Sequence, residues 1–139
     1  MIWTVTIELL FGMYVKENWS ASIELDSLTT LEDLHYIIQD TVDFDNDHMY
    51  EFYIARTDRS RERIHFDDEN EKLYDTTLES LYPLKKNRKL FYLFDYGDSW
   101  LFKISKSRKK PHDPEKRKKY PRIIEVKGKT PKQYPVEWD

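Results

Sequence analysis

The chain has 139 residues, enough for one domain with one hydrophobic core, and we expect residues 1–139 to form that domain. Charged residues make up 35% of it and aromatic residues 15%, so the aromatic rings must supply the apolar area that offsets a highly charged composition. The absence of cysteine excludes disulfides and thiolate metal sites. The sequence shows neither a membrane span of roughly 18 apolar residues nor a secretory pattern. We therefore expect a cytoplasmic protein with no membrane partner.

The net charge of −3 conceals a polarity along the chain. Residues 1–99 carry a net charge of −11, and residues 100–139 carry one of +8. Such asymmetry is typical of a segment that faces nucleic acid. It is equally typical of a basic tail that folds back on an acidic body. Composition alone leaves both alternatives open.

The first third of the chain predicts a hairpin followed by a helix. Alternating apolar residues in 2–10 and again in 19–25 predict two antiparallel strands. Thr29 and Glu32 have the spacing of a capping box, which predicts the start of a helix. Its apolar positions follow at helical spacing and are Leu31, Leu34, Ile38 and Val42. His35 lies beside this stripe, where a histidine is more often a packing residue than a ligand.

The acidic stretch 43–47 resembles the opening of an EF-hand calcium loop. That loop needs glycine at its sixth position and glutamate at its twelfth, and this sequence has His48 and Ile54 there. We therefore interpret the stretch as a solvated loop. A weak metal site of another kind, formed by Asp45, Asp47 and His48, is the alternative.

The middle of the chain predicts short elements separated by charged segments. Residues 49–55 predict a strand, and residues 56–76 predict a mobile excursion with a short strand near 64–66. A second capping-box spacing, from Thr76 to Glu79, predicts one helical turn that Pro83 ends. The basic turn 85–89 then leads into the most apolar part of the chain.

Residues 90–104 predict a hairpin around which the fold is organised. Aromatic and branched residues alternate on both sides of Asp95-Tyr96-Gly97-Asp98, a turn in which we expect Gly97 to take the left-handed conformation. Asp95 and Asp98 suit a turn, because aspartate accepts hydrogen bonds from nearby backbone N–H groups. A functional pair of carboxylates is the alternative. Trp100 is predicted to pack into the core rather than to serve as a ligand platform.

The segment from Phe94 to Trp100, followed by Ile104, resembles the signature of the plasmid pRiA ORF-three-like family, also called insertion-element passenger proteins. The family pattern is an aromatic residue, then Asp-aromatic-Gly-Asp-x-Trp, then x-His-x-Ile. The matching residues, for which we expect a structural role, are Asp95, Gly97, Asp98 and Trp100. Phe102 replaces the usual histidine, and the cysteine that many members carry after Tyr-Pro is absent, so chemistry that depends on those two residues is not implied. The resemblance implies an association with plasmids and insertion elements, and a fold rather than an activity.

A strongly basic segment follows the hairpin. Residues 106–119 hold eight Lys and Arg residues, two prolines and no apolar side chain, so we expect an exposed basic loop at 105–119. Through the 106–120 segment the chain could bind nucleic acid weakly, with little sequence discrimination. The residues proposed for this are Arg108, Lys109, Lys110, Arg117, Lys118 and Lys119. Residues 120–126 predict an edge strand, and Trp138 is expected to dock on the body.

Together these patterns predict an α+β fold: a small mixed or antiparallel sheet packed by one main helix, with a β-grasp, or ubiquitin-like, arrangement. An open α/β sandwich of another topology is the alternative. The sequence has no nucleophilic triad and no phosphate-binding glycine loop, and we expect no cofactor. The predicted function is therefore that of a non-catalytic binding or accessory protein whose partner is another protein or nucleic acid. A metal-dependent phosphodiester hydrolase is the second alternative, and the oligomeric state is not predicted.

Overall fold

The computed structural model describes residues 1–12, 15 and 17–134, so the predicted docking of Trp138 lies outside the described residues. Within this part of the chain the strands are β1 (Ile2–Phe11), β2 (Ser20–Asp26), β3 (Tyr50–Ala55), β4 (Ile64–Phe66), β5 (Lys89–Phe94), β6 (Trp100–Lys106) and β7 (Arg122–Lys127). The helices are α1 (Leu31–Val42), α2 (Lys72–Asp75) and α3 (Leu78–Leu81).

The seven strands form one sheet in the order β4-β3-β5-β6-β1-β2-β7. All pairings between the described strands are antiparallel, which gives an α+β fold without the mixed sheet that the sequence left open. The predicted hairpins β1–β2 and β5–β6 are confirmed, as is the edge strand β7. Neither a β-grasp arrangement nor packing by one main helix is confirmed by this strand order.

The hydrophobic core lies on the face of the sheet that α1 covers. The predicted helical stripe is buried, from Leu31 to Val42, and it belongs to the same cluster as the inward residues of β1, β2, β5 and β6. Tyr92 and Trp100 are both buried there, with 0% and 1% of their surface exposed. A smaller cluster lies on the other face, where Tyr53 stacks on Phe91 with ring centroids 5.1 Å apart. The fold therefore depends mainly on aromatic residues from the central strands.

Both predicted helix starts are wrong by one residue. Thr30 caps α1, and its side chain accepts a hydrogen bond from the backbone N–H of Asp33. The Thr29 hydroxyl instead donates to the Asp26 carbonyl, 2.6 Å away, and so belongs to the turn that follows β2. Similarly, Thr77 rather than Thr76 caps α3.

The segment 56–76 is more structured than the predicted excursion. It contains β4, the short strand predicted near residues 64–66, and the single-turn helix α2. Arg63 stabilises the turn between β3 and β4. Its side chain donates hydrogen bonds to the carbonyls of Ser60 and Asp58, and its guanidinium carbon lies 4.2 Å from the centroid of the Tyr53 ring. Among the described helices, none has the length and apolar composition of a transmembrane helix.

Candidate functional site

The antiparallel register brings three basic segments to one end of the sheet. Ala55, the last residue of β3, lies opposite Lys89, and Leu90 lies opposite Ile104 near the end of β6. Segments 56–63, 85–89 and 106–119 therefore emerge side by side, and we call them the basic end. They hold 16 Lys and Arg residues against four Asp and Glu residues, a net charge of +12 in a chain whose total is −3.

A cleft of about 1040 Å³ opens at the basic end, between the β3–β4 turn and the segment that precedes β5. The basic side chains that line it are Arg56, Arg61, Arg63, Lys85 and Arg88, and Glu62 is the acidic one. Ile54, Ile64 and Leu84 are among the apolar residues that line the same space. None of the five basic residues forms an ion pair with another described residue. Arg63 is engaged by the Ser60 and Asp58 carbonyls and the Tyr53 ring, so the charges available to a ligand are those of Arg56, Arg61, Lys85 and Arg88.

The cleft continues towards the basic loop through two aromatic side chains. Tyr82, beside the cleft, packs edge-on against Trp3 with ring centroids 6.1 Å apart. The Lys106 ammonium lies 4.9 Å from the centroid of the Trp3 ring. Because Lys106 begins the basic loop, these two contacts connect the neighbourhood of the cleft to that loop.

The six residues proposed from sequence for nucleic-acid contact lie in this loop and are exposed. Of these, Lys118 pairs with Glu115 of the same loop, and no ion pair joins any of the six to the described body of the protein. Two other residues, His112 in the middle of the loop and Arg122 after it, contact the body instead. Each lies within 3.4 Å of a Glu24 carboxylate oxygen. Hydrogen bonds to the Asp113 carbonyl and to Glu24 raise the pKa of His112.

At the opposite end of the sheet, the segments beside β3, β4 and β5 are acidic. Tyr50 pairs with Phe94 and Phe52 with Phe66, which brings segments 43–48, 67–71 and 95–99 together; we call these the acidic end. They contain nine Asp and Glu residues and no Lys or Arg. The chain is thus polarised along its strands as well as along its sequence.

The signature turn lies at the acidic end and has a geometry different from the predicted one. Asp95 is buried, and its Oδ1 atom accepts hydrogen bonds from the backbone N–H groups of Gly97, at 3.1 Å, and Asp98, at 3.2 Å. The prediction that Gly97 takes the left-handed conformation is wrong: Asp95 and Ser99 take it, with φ of 61° and 56°. Trp100 packs against Phe44 with ring centroids 4.8 Å apart, and its indole N–H has no hydrogen-bond partner among the described residues.

His48 connects the signature turn to the C-terminal part of the described chain. Its Nε2 atom lies 3.4 Å from Asp95 Oδ2 and 3.0 Å from the Tyr134 hydroxyl. Tyr134 donates a 2.6 Å hydrogen bond to Asp47, which raises the pKa of Tyr134 to about 12, and Gln133 donates to the same carboxylate. These contacts occupy Asp47 and fix the 43–48 loop.

The predicted alternative of a metal site at Asp45, Asp47 and His48 has no matching group of ligand atoms among the described residues. Such a group is formed instead by Glu51, His65 and Asp67, whose ligand atoms lie within 4.8 Å of one another. Glu51 precedes Phe52 and Asp67 follows Phe66, and these two phenylalanines are paired across β3 and β4. His65 Nδ1 lies 3.0 Å from a carboxylate oxygen of Glu51. The three could hold a divalent ion, and they lie at the acidic end rather than beside the basic cleft.

Sequence reasoning missed the arginines of the cleft. Arg56, Arg61 and Arg63 lie in the segment interpreted as an excursion, and Lys85 and Arg88 in the segment interpreted as a basic turn. The signal was the density of arginine in residues 56–63, which hold four of them. That signal becomes informative only with the β3–β5 register, which joins two segments about 30 residues apart.

A family model described as plasmid pRiA4b ORF-3-like protein matches residues 7–133. Among solved structures, the crystal structure of a protein of unknown function from Methanosarcina mazei Go1 is similar to this chain, with a TM-score of 0.72 and 18% sequence identity. The similarity covers 90% of this chain and 68% of that chain, and at this identity it shows the fold alone. No match was found among curated proteins.

Proposed function

The chain belongs to the plasmid pRiA4b ORF-3-like protein family, a membership that by itself assigns no activity, and from its charge arrangement we propose that it is a non-catalytic binding protein for nucleic acid with little sequence discrimination. We place its action in the cytoplasm. The observation that carries this proposal is the net charge of +12 on three adjoining segments of a chain that is otherwise acidic.

The extent of the basic end suits a phosphate backbone. It covers the ends of β4, β3, β5, β6 and β1, and a strand spacing of about 4.8 Å makes this a surface roughly 20 Å wide. One nucleic-acid strand places a phosphate about every 3.4 Å, so roughly five or six phosphates would face the protein. Release of the counterions held by those phosphates would drive binding.

The chemistry of the cleft supports the same ligand class. Arginine guanidinium groups bind phosphate oxygens in bidentate geometry, and Arg56, Arg61 and Arg88 line the cleft together with Lys85. The apolar residues that line the same cleft can contact sugar and base surfaces. The basic side chains lie on loop segments and suit phosphate oxygens, so backbone contact rather than base recognition is expected. The family's description as plasmid pRiA4b ORF-3-like supports this by analogy, since it is named after a gene of a plasmid.

The test is a fluorescence-polarisation titration with labelled single-stranded and duplex oligonucleotides at several salt concentrations. In the cleft variant, Arg56, Arg61, Lys85 and Arg88 are all changed to serine. In the matched control, four basic residues outside the basic end, Lys72, Lys127, Lys129 and Lys132, are changed to serine, so that the net charge is the same. Circular dichroism and thermal unfolding would establish that both variants fold.

The wild-type chain is expected to bind in about 50 mM salt and to lose affinity steeply by about 200 mM. The cleft variant should bind more weakly, and its log–log salt slope should be shallower by up to about 3, since each lost phosphate contact removes about 0.7–0.9. The control variant should change both quantities less. Absence of binding at 50 mM salt, or equal losses in the two variants, would refute the proposal. A third variant with the six loop residues changed to serine measures the share of 106–119.

A further inference from the structure

A second cleft, of about 580 Å³, lies between α1, α2 and the loop that precedes β3. It is separate from the basic cleft and shares no lining residue with it. Its walls come from Glu32 and Tyr36 of α1, from Asn46, Asp47, His48, Met49 and Tyr50, and from Asp68, Leu73 and Tyr74. This size is within the range of small-molecule sites.

Three tyrosines from three elements line this cleft. Tyr36 and Tyr74 are 48% and 47% exposed, although aromatic side chains of this size usually fill a core. Tyr50 is half-buried, and its ring stacks on the ring of His35 at a centroid separation of 3.4 Å and an interplanar angle of 2°. The stacking fixes Tyr50 in place, while the other two rings remain open to a ligand.

The support behind Tyr50 is rigid and uncharged. His35 accepts or donates on both ring nitrogens, with Tyr92 and Asn46 each 2.6 Å away. Burial lowers the pKa of His35 to about 4, so the imidazole is neutral at pH 7. The ring of Tyr50 therefore has no positive charge beneath it that would oppose a cation above it.

The same cleft is lined by carboxylates. Glu32, Asp47 and Asp68 come from α1, from the loop before β3 and from the turn before α2, and no Lys or Arg is among the described lining residues. Glu32 and Asp68 form no ion pair with any described residue. Burial, followed by the negative charge of the Glu32 carboxylate, raises the pKa of Tyr50.

We propose that this cleft binds a small organic cation that carries an alkylammonium group. Aromatic faces attract such a cation through their quadrupole, and nearby carboxylates supply the opposite charge. Met49, which lines the same cleft and is 59% exposed, offers an apolar surface for the alkyl part. A phosphate ligand would be repelled by the three carboxylates, and the compact ligand group that suits a metal ion is elsewhere, at Glu51, His65 and Asp67.

The test is a titration of the ¹⁵N-labelled full chain with tetramethylammonium chloride and with spermidine, followed by backbone amide shifts. Potassium chloride and magnesium chloride at equal ionic strength are the salt controls. Saturable shifts confined to residues 32–36, 46–50 and 68–74 are expected with the two ammonium compounds alone. The ratio of the two affinities distinguishes a quaternary ammonium ligand from a polyamine.

Two ring-deletion variants and two controls examine the contribution of the tyrosines. Tyr36→Ala and Tyr74→Ala should each weaken binding about 2- to 5-fold, the range of a cation–π contact at an exposed site. Tyr36→Phe keeps the ring and should bind like the wild type. Tyr96→Ala removes a tyrosine that is equally exposed, at 47%, but lies outside the cleft, and it should leave binding unchanged.

Three results would overturn the proposal: no saturable shift at millimolar ammonium concentration, the same shifts with magnesium, or an equal loss in Tyr96→Ala. The thermal unfolding of each variant identifies a loss that comes from misfolding, and in that case the titration of the wild-type chain against potassium and magnesium still decides the proposal. The outcome is independent of nucleic-acid binding, which is measured at the other end of the sheet.

Discussion

Gly12→Ala is expected to destabilise the protein substantially, even though Gly12 is not part of the family signature. A Cβ atom at this position would lie 2.5 Å from Cζ3 of Trp100 and 2.8 Å from Cγ2 of Val15. Trp100 is buried and packs against Phe44, so its ring has little room to move away. Overpacking of this kind typically costs about 1–3 kcal/mol.

The signature glycine is the matched control. A Cβ at Gly97 would meet only Asp95 Oδ1, at the ordinary contact distance of 3.4 Å, and the φ of Gly97 is not in the left-handed region. Gly97→Ala should therefore remain within about 0.5 kcal/mol of the wild type. Urea denaturation followed by tryptophan fluorescence measures both free energies of unfolding, and thermal unfolding should show Gly12→Ala lower by roughly 4–12 °C. An equal loss in the two variants would refute the packing argument.

Three further predictions concern stability alone. The pKa of His35 is about 4 in the folded chain and 6.5 in the unfolded one, so the unfolded state takes up a proton first as the pH falls. The free energy of unfolding should therefore drop by about 2 kcal/mol from pH 7 to pH 5. His35→Gln, which cannot titrate, should remove this part of the pH dependence in urea titrations. Asp95→Ala should cost about 1–3 kcal/mol more than Asp95→Asn, because alanine loses both turn hydrogen bonds and fits poorly at a φ of 61°. Thr30→Ala should cost about 1 kcal/mol as a lost helix cap, whereas Glu32→Ala should change the free energy of unfolding by less than about 0.5 kcal/mol, because α1 has no capping box with Glu32.

The sequence predicted those parts of the fold that depend on local pattern. Alternation of apolar residues identified the hairpins β1–β2 and β5–β6, and helical spacing identified the buried stripe of α1. Helix boundaries were less predictable because they depend on contacts made elsewhere. The hydroxyl of Thr29 forms a hydrogen bond within the turn after β2, and the carbonyl of Thr76 accepts one from the N–H of Leu31. Both threonines therefore belong to the connections before the helices, and Thr30 and Thr77 are the caps.

The signature turn shows a similar limit. A glycine between two aspartates favours a left-handed glycine on local grounds. The loop is instead closed by a 2.6 Å hydrogen bond from the Ser99 N–H to the Asp95 carbonyl, and the residues at its two ends take the positive φ. Aspartate tolerates that conformation, so the pattern alone did not decide between the two geometries.

The basic loop was predicted from sequence, but neither cleft could be, because each is assembled from segments far apart in the chain. The basic cleft requires the β3–β5 register that joins 56–63 to 85–89. The tyrosine-lined cleft requires α2 to pack beside α1, so that Tyr74 approaches Tyr36 and Tyr50. Composition gives the charges, and the antiparallel order gives their positions.

The separation of the two charged ends follows from the length of the strands. β3 has six residues and spans roughly 20 Å from the acidic end to the basic end. At physiological ionic strength charges are screened over about 8 Å, so each end acts on its own ligand with little influence from the other. In about 10 mM salt the screening length reaches about 30 Å, and the acidic end would then repel a polyanion held at the basic end. A plot of log affinity against log salt for nucleic acid should therefore flatten at its low-salt limit, although counterion release alone would keep it straight.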